Sequence, residues 1–580
     1  MTKNAECTIL FSKNQGNGCV SLSWVENALA EMTIEEKVGQ TFMVAYFVCD
    51  DDVIDGIKKD MDTYHLGGIF HFVGQHNAIA DYINQIQNHA KIPLLIGADY
   101  EIGTGWTVDD GFRFPRPMAR GAAGRPELEY EIGKQTAQQG RSIGATVTFS
   151  PVIDLNTNHL NPDVNVRAYG EDIGTVTEFA LPYIKGLQEN GMLATVKHFP
   201  GNGSTDMDQH ICPAVISLTR EELNQTCLSV YKKTFEAGAA AVMVAHLEVP
   251  ALTTELNPVT GRPVPASLSK EVITDLLKGE MGFDGLVISD ALNMGGVTSQ
   301  YTRGDIAVKA IQAGIDMLLA FNPDDFFVEY NAVLAAAKSG EISMDRLDDA
   351  VRSVLKAKTK LSLHETKGLA YPEELRDEYY GSPLSAQVSR EITDSAVTVL
   401  KNKDGLLPLS DIDGKKVMVI NTFNPDGDTY RKQHQTPMKE ILSEGLKNKG
   451  AIVDTFEAHN DLSLNEMRAI VGKVREYDYV FFNFFIVPTW GIGSMIPNKN
   501  AVRILMYGAL SPDVPVIVTC IGDPYVMYYC PTAKTILFTF DESVSSQESV
   551  LKAWFGEIPT VGKMPVSLKD YYKKGDGIQI

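Results

Sequence analysis

Residues able to do acid–base and nucleophilic chemistry fall in a few short stretches. Lys197 and His198 close the apolar run Leu193, Ala194, Thr195, Val196. The chain then breaks at Phe199, Pro200, Gly201, Asn202 and Gly203, where proline and glycine exclude regular structure. A polar loop follows, carrying Asp206, Asp208 and His210. An imidazole near its ordinary pKa can give a proton to a departing oxygen and later take one from water. A carboxylate two residues away could orient it and stabilise its cation. Asp290 ends a second buried run, Gly285 to Asp290, where it could serve as a nucleophile or cap the helix that follows. Asp206, Asp208 and His210 alternate, so an extended loop could present them as metal ligands. A solvated loop with hydrogen-bonded side chains is the third reading.

Groups of this kind need rigid elements behind them. From about residue 22, eight apolar runs alternate with amphipathic stretches such as Glu127 to Gln139 and Ser269 to Lys278. The runs are Phe42 to Phe47, Gly68 to Phe72, Pro93 to Gly97, Ala145 to Phe149, Leu193 to His198, Ala240 to His246, Gly285 to Asp290 and Met317 to Ala320. Continuous apolar strands separated by helices imply a parallel sheet, and eight such units imply a (β/α)8 barrel, with an open doubly wound sheet as the alternative. A barrel keeps its functional side chains at the C-terminal strand ends. Asp99 follows run three, Lys197 and His198 end run five, His246 ends run six and Asp290 ends run seven. Arg167 lies in the long loop after run four. Packing does not explain these ends, since unpaired buried charge costs several kcal/mol.

The barrel is expected over residues 22–362. Charged, proline-containing text over 363–388 reads as a linker. A second α/β unit, 389–580, is expected to hold a helix from Ser389 running into a short extended segment to Leu400. Strands are expected at 417–420, 479–487, 514–522 and 535–540, with a helix at Thr436 to Asn448. Their alternation predicts a parallel sheet covered by helices.

A chain of 580 residues exceeds what one core supports. Its net charge of −22, with no basic stripe, argues against nucleic acid as a partner. No run approaches the roughly 20 apolar residues that span a bilayer. The start lacks a basic segment followed by an apolar one, so a cytoplasmic location is expected, with a secreted form missing its leader as the alternative. The seven cysteines are scattered without a C-x-x-C pair, which suggests neither a zinc site nor a disulfide framework.

KHFPGNGSTDMDQH (Lys197 to His210), GFDGLVISDALNM (Gly282 to Met294) and the closing GKMPVSL resemble the motifs of the glycoside hydrolase family 3 β-N-acetylglucosaminidases. The resemblance covers most of the chain. It implies a two-domain form in which the second unit is an α/β sandwich. It makes Asp290 the nucleophile and His210, supported by Asp208, the acid–base group. It gives sugar hydroxyls to Asp99, Arg167, Lys197 and His198, with His246 a weaker match. No cofactor or metal is implied. The activity implied is retaining removal of terminal N-acetylglucosamine from muropeptide or chitin-derived fragments, through a covalent glycosyl-aspartate. A phosphorylase or β-glucosidase of the same family, or a non-catalytic sugar-binding protein, are the alternatives. Two departures stand out: Asn202 and Gln209 replace the family's His and Ser in the first motif, and DYEIGTGWT lacks the Arg common in the family's first loop. Trp106 could offer a stacking face there.

Overall fold

The computed structural model describes residues 18–47, 51–71, 73–403, 405–423, 438–494, 496–510 and 514–580. Phe72 and Thr436, which end or begin expected elements, lie outside these residues, as do Cys7 and Cys49. The chain forms two compact units, one of residues up to 113 with 127–155 and 177–385, the other of 114–126, 156–176 and 386–580.

The first unit is the expected barrel. Its strands are β1 (Phe42–Tyr46), β2 (Gly68–His71), β3 (Leu95–Ala98), β4 (Val147–Thr148), β5 (Leu193–Phe199), β7 (Ala241–Val244), β9 (Leu286–Ala291) and β10 (Met317–Ala320). They close in the order β1-β10-β9-β7-β5-β4-β3-β2, every pair parallel, with Phe42 opposite Leu318 at the seam. A two-residue ribbon, β6 (Ala214–Val215) beside β8 (Leu247–Glu248), stands outside the barrel sheet. The apolar runs read as strands because both faces are buried. Met43, Phe70, Phe149, Leu193, Met243, Ile288 and Leu319 belong to one buried cluster, with the Phe70 and Phe149 rings stacked 5.4 Å apart. Val354, Ala357 and Leu361 join the same cluster, from the helix Met344–Lys360 and the residue after it.

Register slips by one residue at two places in this sheet. Between β5 and β7, Val196 faces Val242 but Phe199 faces Val244, so the extra residue falls at Lys197 and His198. Between β9 and β10, Ile288 faces Met317 but Ala291 faces Leu319, so the other falls at Ser289 and Asp290. Such irregularities re-aim side chains and are favoured beside functional sites. At the second, the Ser289 hydroxyl accepts the Leu319 N–H at 3.0 Å in place of a ladder bond.

The second unit holds β11 (Thr398–Asn402), β12 (Lys416–Phe423), β13 (Ile452–Glu457), β14 (Tyr479–Ile486), β15 (Val516–Gly522) and β16 (Thr535–Phe538). Their order is β11-β16-β15-β14-β12-β13, parallel except for β11 against β16. Val417, Val419, Phe481, Phe485, Ile517 and Leu537 pack under Leu442, Leu446, Val550 and Trp554 of two covering helices. β13 was not expected. It is an edge strand with no fully buried side chain, so its sequence, IVDTFE, lacks the apolar run that marks its neighbours.

The domain expectation differs from the structure in two respects. Residues 363–385 are not a linker but part of the barrel unit, with helices at Leu363–Thr366 and Glu373–Tyr380. Buried Arg376 accounts for this, donating to the Asn77 side chain at 2.8 Å and to the Tyr371 carbonyl at 2.7 Å. Its charge is spent inside the unit, while Glu365, Lys367, Glu373, Glu374, Asp377 and Glu378 face solvent. In addition, 114–126 and 156–176, expected as barrel loops, belong to the second unit, where Arg116 Nε donates to Glu542 at 2.5 Å and the Arg116 N–H to Asp541 at 3.0 Å.

Candidate active site

The irregularity at the end of β5 places Lys197 and His198 among carboxylates from neighbouring strand ends. Lys197 Nζ lies 2.9 Å from Asp99 and 2.8 Å from Glu101, both just past β3. Its side chain is 4% exposed, against 10% for Glu101 and 30% for Asp99, so the pair is buried on one side and open on the other. His198 turns its Nδ1 to Asp154 at 2.8 Å, and the Lys197–His198 peptide bond is cis. Asp154 also accepts the backbone N–H of His198 at 3.2 Å and of Asn202 at 2.7 Å. One buried carboxylate thus fixes both the imidazole and the turn after β5. Glu101 and Asp154 were not among the expected site residues. Their signal was a carboxylate just past a barrel strand, the same signal that pointed to Asp99.

His210 and Asp208 form a second cluster. The Asp208 carboxylate accepts from His210 Nδ1 at 2.8 Å and from the His210 backbone N–H at 2.9 Å. Asp208 is buried, while the His210 side chain keeps about a quarter of its surface. This turn is tied to the segment after β9. The Gly295 N–H donates to the His210 carbonyl at 2.9 Å and the Gly296 N–H to the Gln209 carbonyl at 2.8 Å. A Cβ on Gly295 would sit 2.1 Å from the Ile211 carbonyl oxygen, so only glycine permits that approach. Asp290 lies on the same side of the turn. Its Oδ1 accepts the Ala291 N–H at 2.8 Å, and its Oδ2 faces the Gln209 amide at 3.3 Å.

His246 departs from its expected role. It is fully buried, and both ring nitrogens are used inside the protein, Nε2 on the Ala291 carbonyl at 2.9 Å and Nδ1 on the Ser267 hydroxyl at 2.7 Å. A carbonyl only accepts, so Nε2 carries the hydrogen and the ring is neutral with Nδ1 bare. Burial pushes its pKa down, in keeping with that state. No ring nitrogen is left for a sugar, and His246 instead holds the peptide that follows Asp290.

Arg167 belongs to the second unit. There its guanidinium pairs with the Asp163 carboxylate and donates to the Asp163 carbonyl at 3.1 Å. Glu171 accepts from Ser567 and Asp172 pairs with Lys574. Asp206 is exposed, so the alternating acidic loop does not converge. Among the described residues, no group of three or more His, Cys, Asp or Glu is placed to hold a metal ion. Trp106 is half-buried with the Arg113 guanidinium 5.6 Å from its ring centroid. Burial pushes the Cys212 thiol up, away from nucleophile character.

A closed parallel barrel with the Asp290 carboxylate, a His–Asp pair and a charged cradle at its strand ends carries the kinds of group that nucleophilic and acid–base chemistry needs, as barrel enzymes do. Residues 33–357 match the N-terminal domain of glycosyl hydrolase family 3. A β-N-acetylglucosaminidase/β-glucosidase of Cellulomonas fimi is 30% identical over 556 residues, 94% of this chain and 95% of the relative. A solved family 3 β-N-acetylglucosaminidase from Paenibacillus sp. FPU-7 superposes with a TM-score of 0.80 at 28% identity, covering 93% of this chain and 99% of that one. A β-glucoside phosphorylase bound to 2FGlc gives 0.83 at 26% identity, covering 95% and 97%. The chain belongs to glycosyl hydrolase family 3. It is a glycoside hydrolase that acts on carbohydrate. Among the described residues, no helix is long and apolar enough to cross a membrane.

Proposed function

We propose that the chain is a retaining exo-β-N-acetylglucosaminidase that removes terminal N-acetylglucosamine from muropeptide or chitin-derived oligosaccharides, a role in cell-wall recycling or chitin breakdown. The observation that carries this reading is the Asp208–His210 pair, tied by backbone bonds to the segment that carries Asp290. In the first step Asp290 attacks the anomeric carbon, while His210 gives its proton to the leaving oxygen and Asp208 stabilises the imidazole it serves. The product of that step is a glycosyl-aspartate. In the second step the bare imidazole takes a proton from water as the water attacks, and the Asp290 carboxylate is released. Lys197 and Asp99 present a donor and an acceptor to sugar hydroxyls from the open side of their cluster, and His198 is aimed by Asp154.

Phosphorolysis is the second reading, favoured by one observation. A histidine in the acid–base position does not repel an anion as a carboxylate does, so phosphate could replace water as the acceptor. Incubation with nitrophenyl glycosides of N-acetylglucosamine and of glucose, with and without phosphate, separates the readings. The proposal expects phosphate-independent release from the N-acetylglucosamine substrate. The role of His210 is tested by His210→Ala. A phenol of low pKa departs unaided, so a burst of phenol followed by slow turnover is expected, with partial rescue by azide. Equal losses on good and poor leaving groups, with no burst and no rescue, would reassign the acid.

A further inference from the structure

Gln209 stands between the two reacting groups. Its side chain is buried, and its Oε1 accepts the His246 backbone N–H at 2.9 Å. A backbone N–H can only donate, so the amide must turn its oxygen there. The NH2 group is then the one that faces Asp290 Oδ2, at 3.3 Å. The other carboxylate oxygen takes the Ala291 N–H, and His246 Nε2–H holds the carbonyl of the same residue. The Ser267 hydroxyl, free to donate, satisfies the Nδ1 that this tautomer leaves bare. Both oxygens of Asp290 are therefore oriented by groups whose own positions are set by His246. The backbone of Gln209 adds a second link, since its carbonyl accepts the Gly296 N–H beside the Gly295–His210 bond.

We infer that Gln209 is a positioning residue for the glycosylation step, its amide aiming the Asp290 carboxylate while its backbone carries His210, so that one turn sets both reacting groups. This rests on the assignment of Asp290 as nucleophile. Gly295 and Gly296 admit the turn closely enough for the contact, since a Cβ on Gly296 would lie 2.9 Å from the His246 carbonyl oxygen and 3.1 Å from that of Gln209. A Ser at this position, as in the family motif, is two heavy atoms shorter along its side chain and could not span from the His246 N–H to Asp290.

The test compares Gln209→Met and Gln209→Glu with the unaltered enzyme. Methionine keeps the volume and removes the donor and acceptor. It should lower kcat by about 10- to 100-fold, the worth of one hydrogen bond to a charged group, equally on good and poor leaving groups. Glutamate keeps the acceptor for the His246 N–H, so it remains informative if the methionine variant does not fold. It places a second carboxyl against Asp290, and the two titrate as a pair sharing one proton. The singly protonated pair can still donate to Asp290, whereas the doubly ionised pair cannot. The kcat/KM profile of Gln209→Glu should therefore gain a further falling limb as pH rises, beside the one that loss of the His210 proton gives the unaltered enzyme. A loss uniform across pH, or a Gln209→Met kcat within twofold of the unaltered enzyme, overturns the inference. Trapping the glycosyl-enzyme with a 2-fluoro glycoside and mapping the labelled residue keeps the two claims apart. A label on Asp290 with unchanged Gln209 variants defeats only the positioning role, and a label elsewhere defeats the nucleophile assignment itself.

Discussion

Replacing Lys197 by Met tests whether the cluster below the site is electrostatically coupled. Met matches the alkyl stem, so the cavity contribution is small. What changes is that Glu101, 10% exposed and 2.8 Å from the ammonium, loses this cation, and so does the more open Asp99. Breaking a buried pair from one side costs roughly 3–5 kcal/mol. Asp99 is close enough to water to recover part of its share, so about 3 kcal/mol is expected at pH 7.5. The deficit must shrink on acidification. Without the cation, burial makes the folded variant hold a proton on Glu101 to higher pH than the unfolded chain does. Stability of the variant therefore rises as pH falls through that raised value toward the unfolded one, near 4.3. Urea unfolding of the barrel at pH 7.5 and pH 5 measures both quantities, and KM on the N-acetylglucosamine substrate should rise in parallel. A deficit below about 1 kcal/mol at pH 7.5, or one that is the same at both pH values, would refute the coupling.

Two further outcomes are expected. Gly295→Ala places a methyl against the Ile211 carbonyl and must displace the turn that carries Gln209 and His210, so kcat should fall at least tenfold with the unfolding midpoint of the barrel moved by far less; an unchanged kcat would show that the tie between the turns is dispensable. Asp523, buried at the end of β15, has its carboxyl pushed up to about 7 by burial, against the pull of the Tyr525 N–H and the Asn165 side chain. The folded state thus binds its proton more tightly than the unfolded one, and stability from this group falls as pH rises from about 4 to about 7. Asp523→Asn, which keeps an acceptor for the Tyr525 N–H, should stabilise the second unit at pH 8 and do little at pH 4, as followed by thermal unfolding at both.

The barrel was legible because parallel strands buried on both faces write themselves as unbroken apolar runs, and all eight runs became strands. β13 was not, because an exposed edge strand obeys no such rule. The candidate groups could be assigned to strand ends from sequence, but not their partners. Asp154 and Glu101 look like any loop carboxylate until β5 brings Lys197 and His198 against them. His246 shows the converse, since a histidine at a strand end has the same sequence signature whether it faces a sugar or, as here, Ser267 and a carbonyl. The charged text at 363–385 resembles a linker because most of its charged residues are exposed, whereas Arg376, alone among them in being buried, anchors the segment inside the barrel unit.

The assembly of the second unit from three separated stretches of chain has a consequence in time. Arg116 and its partner Glu542 are 426 positions apart. At ~5–20 residues per second, that separation is on the order of twenty to ninety seconds of synthesis. Through that interval Arg116 waits on the ribosome-bound chain without the carboxylates that will bury it, as do the segment carrying His159 and the rings of Tyr525 and Tyr528 that meet it. The barrel's strands, by contrast, are complete once residue 320 has emerged. Birth order therefore favours an early-closing barrel and a companion whose core can be finished only after Trp554 has emerged.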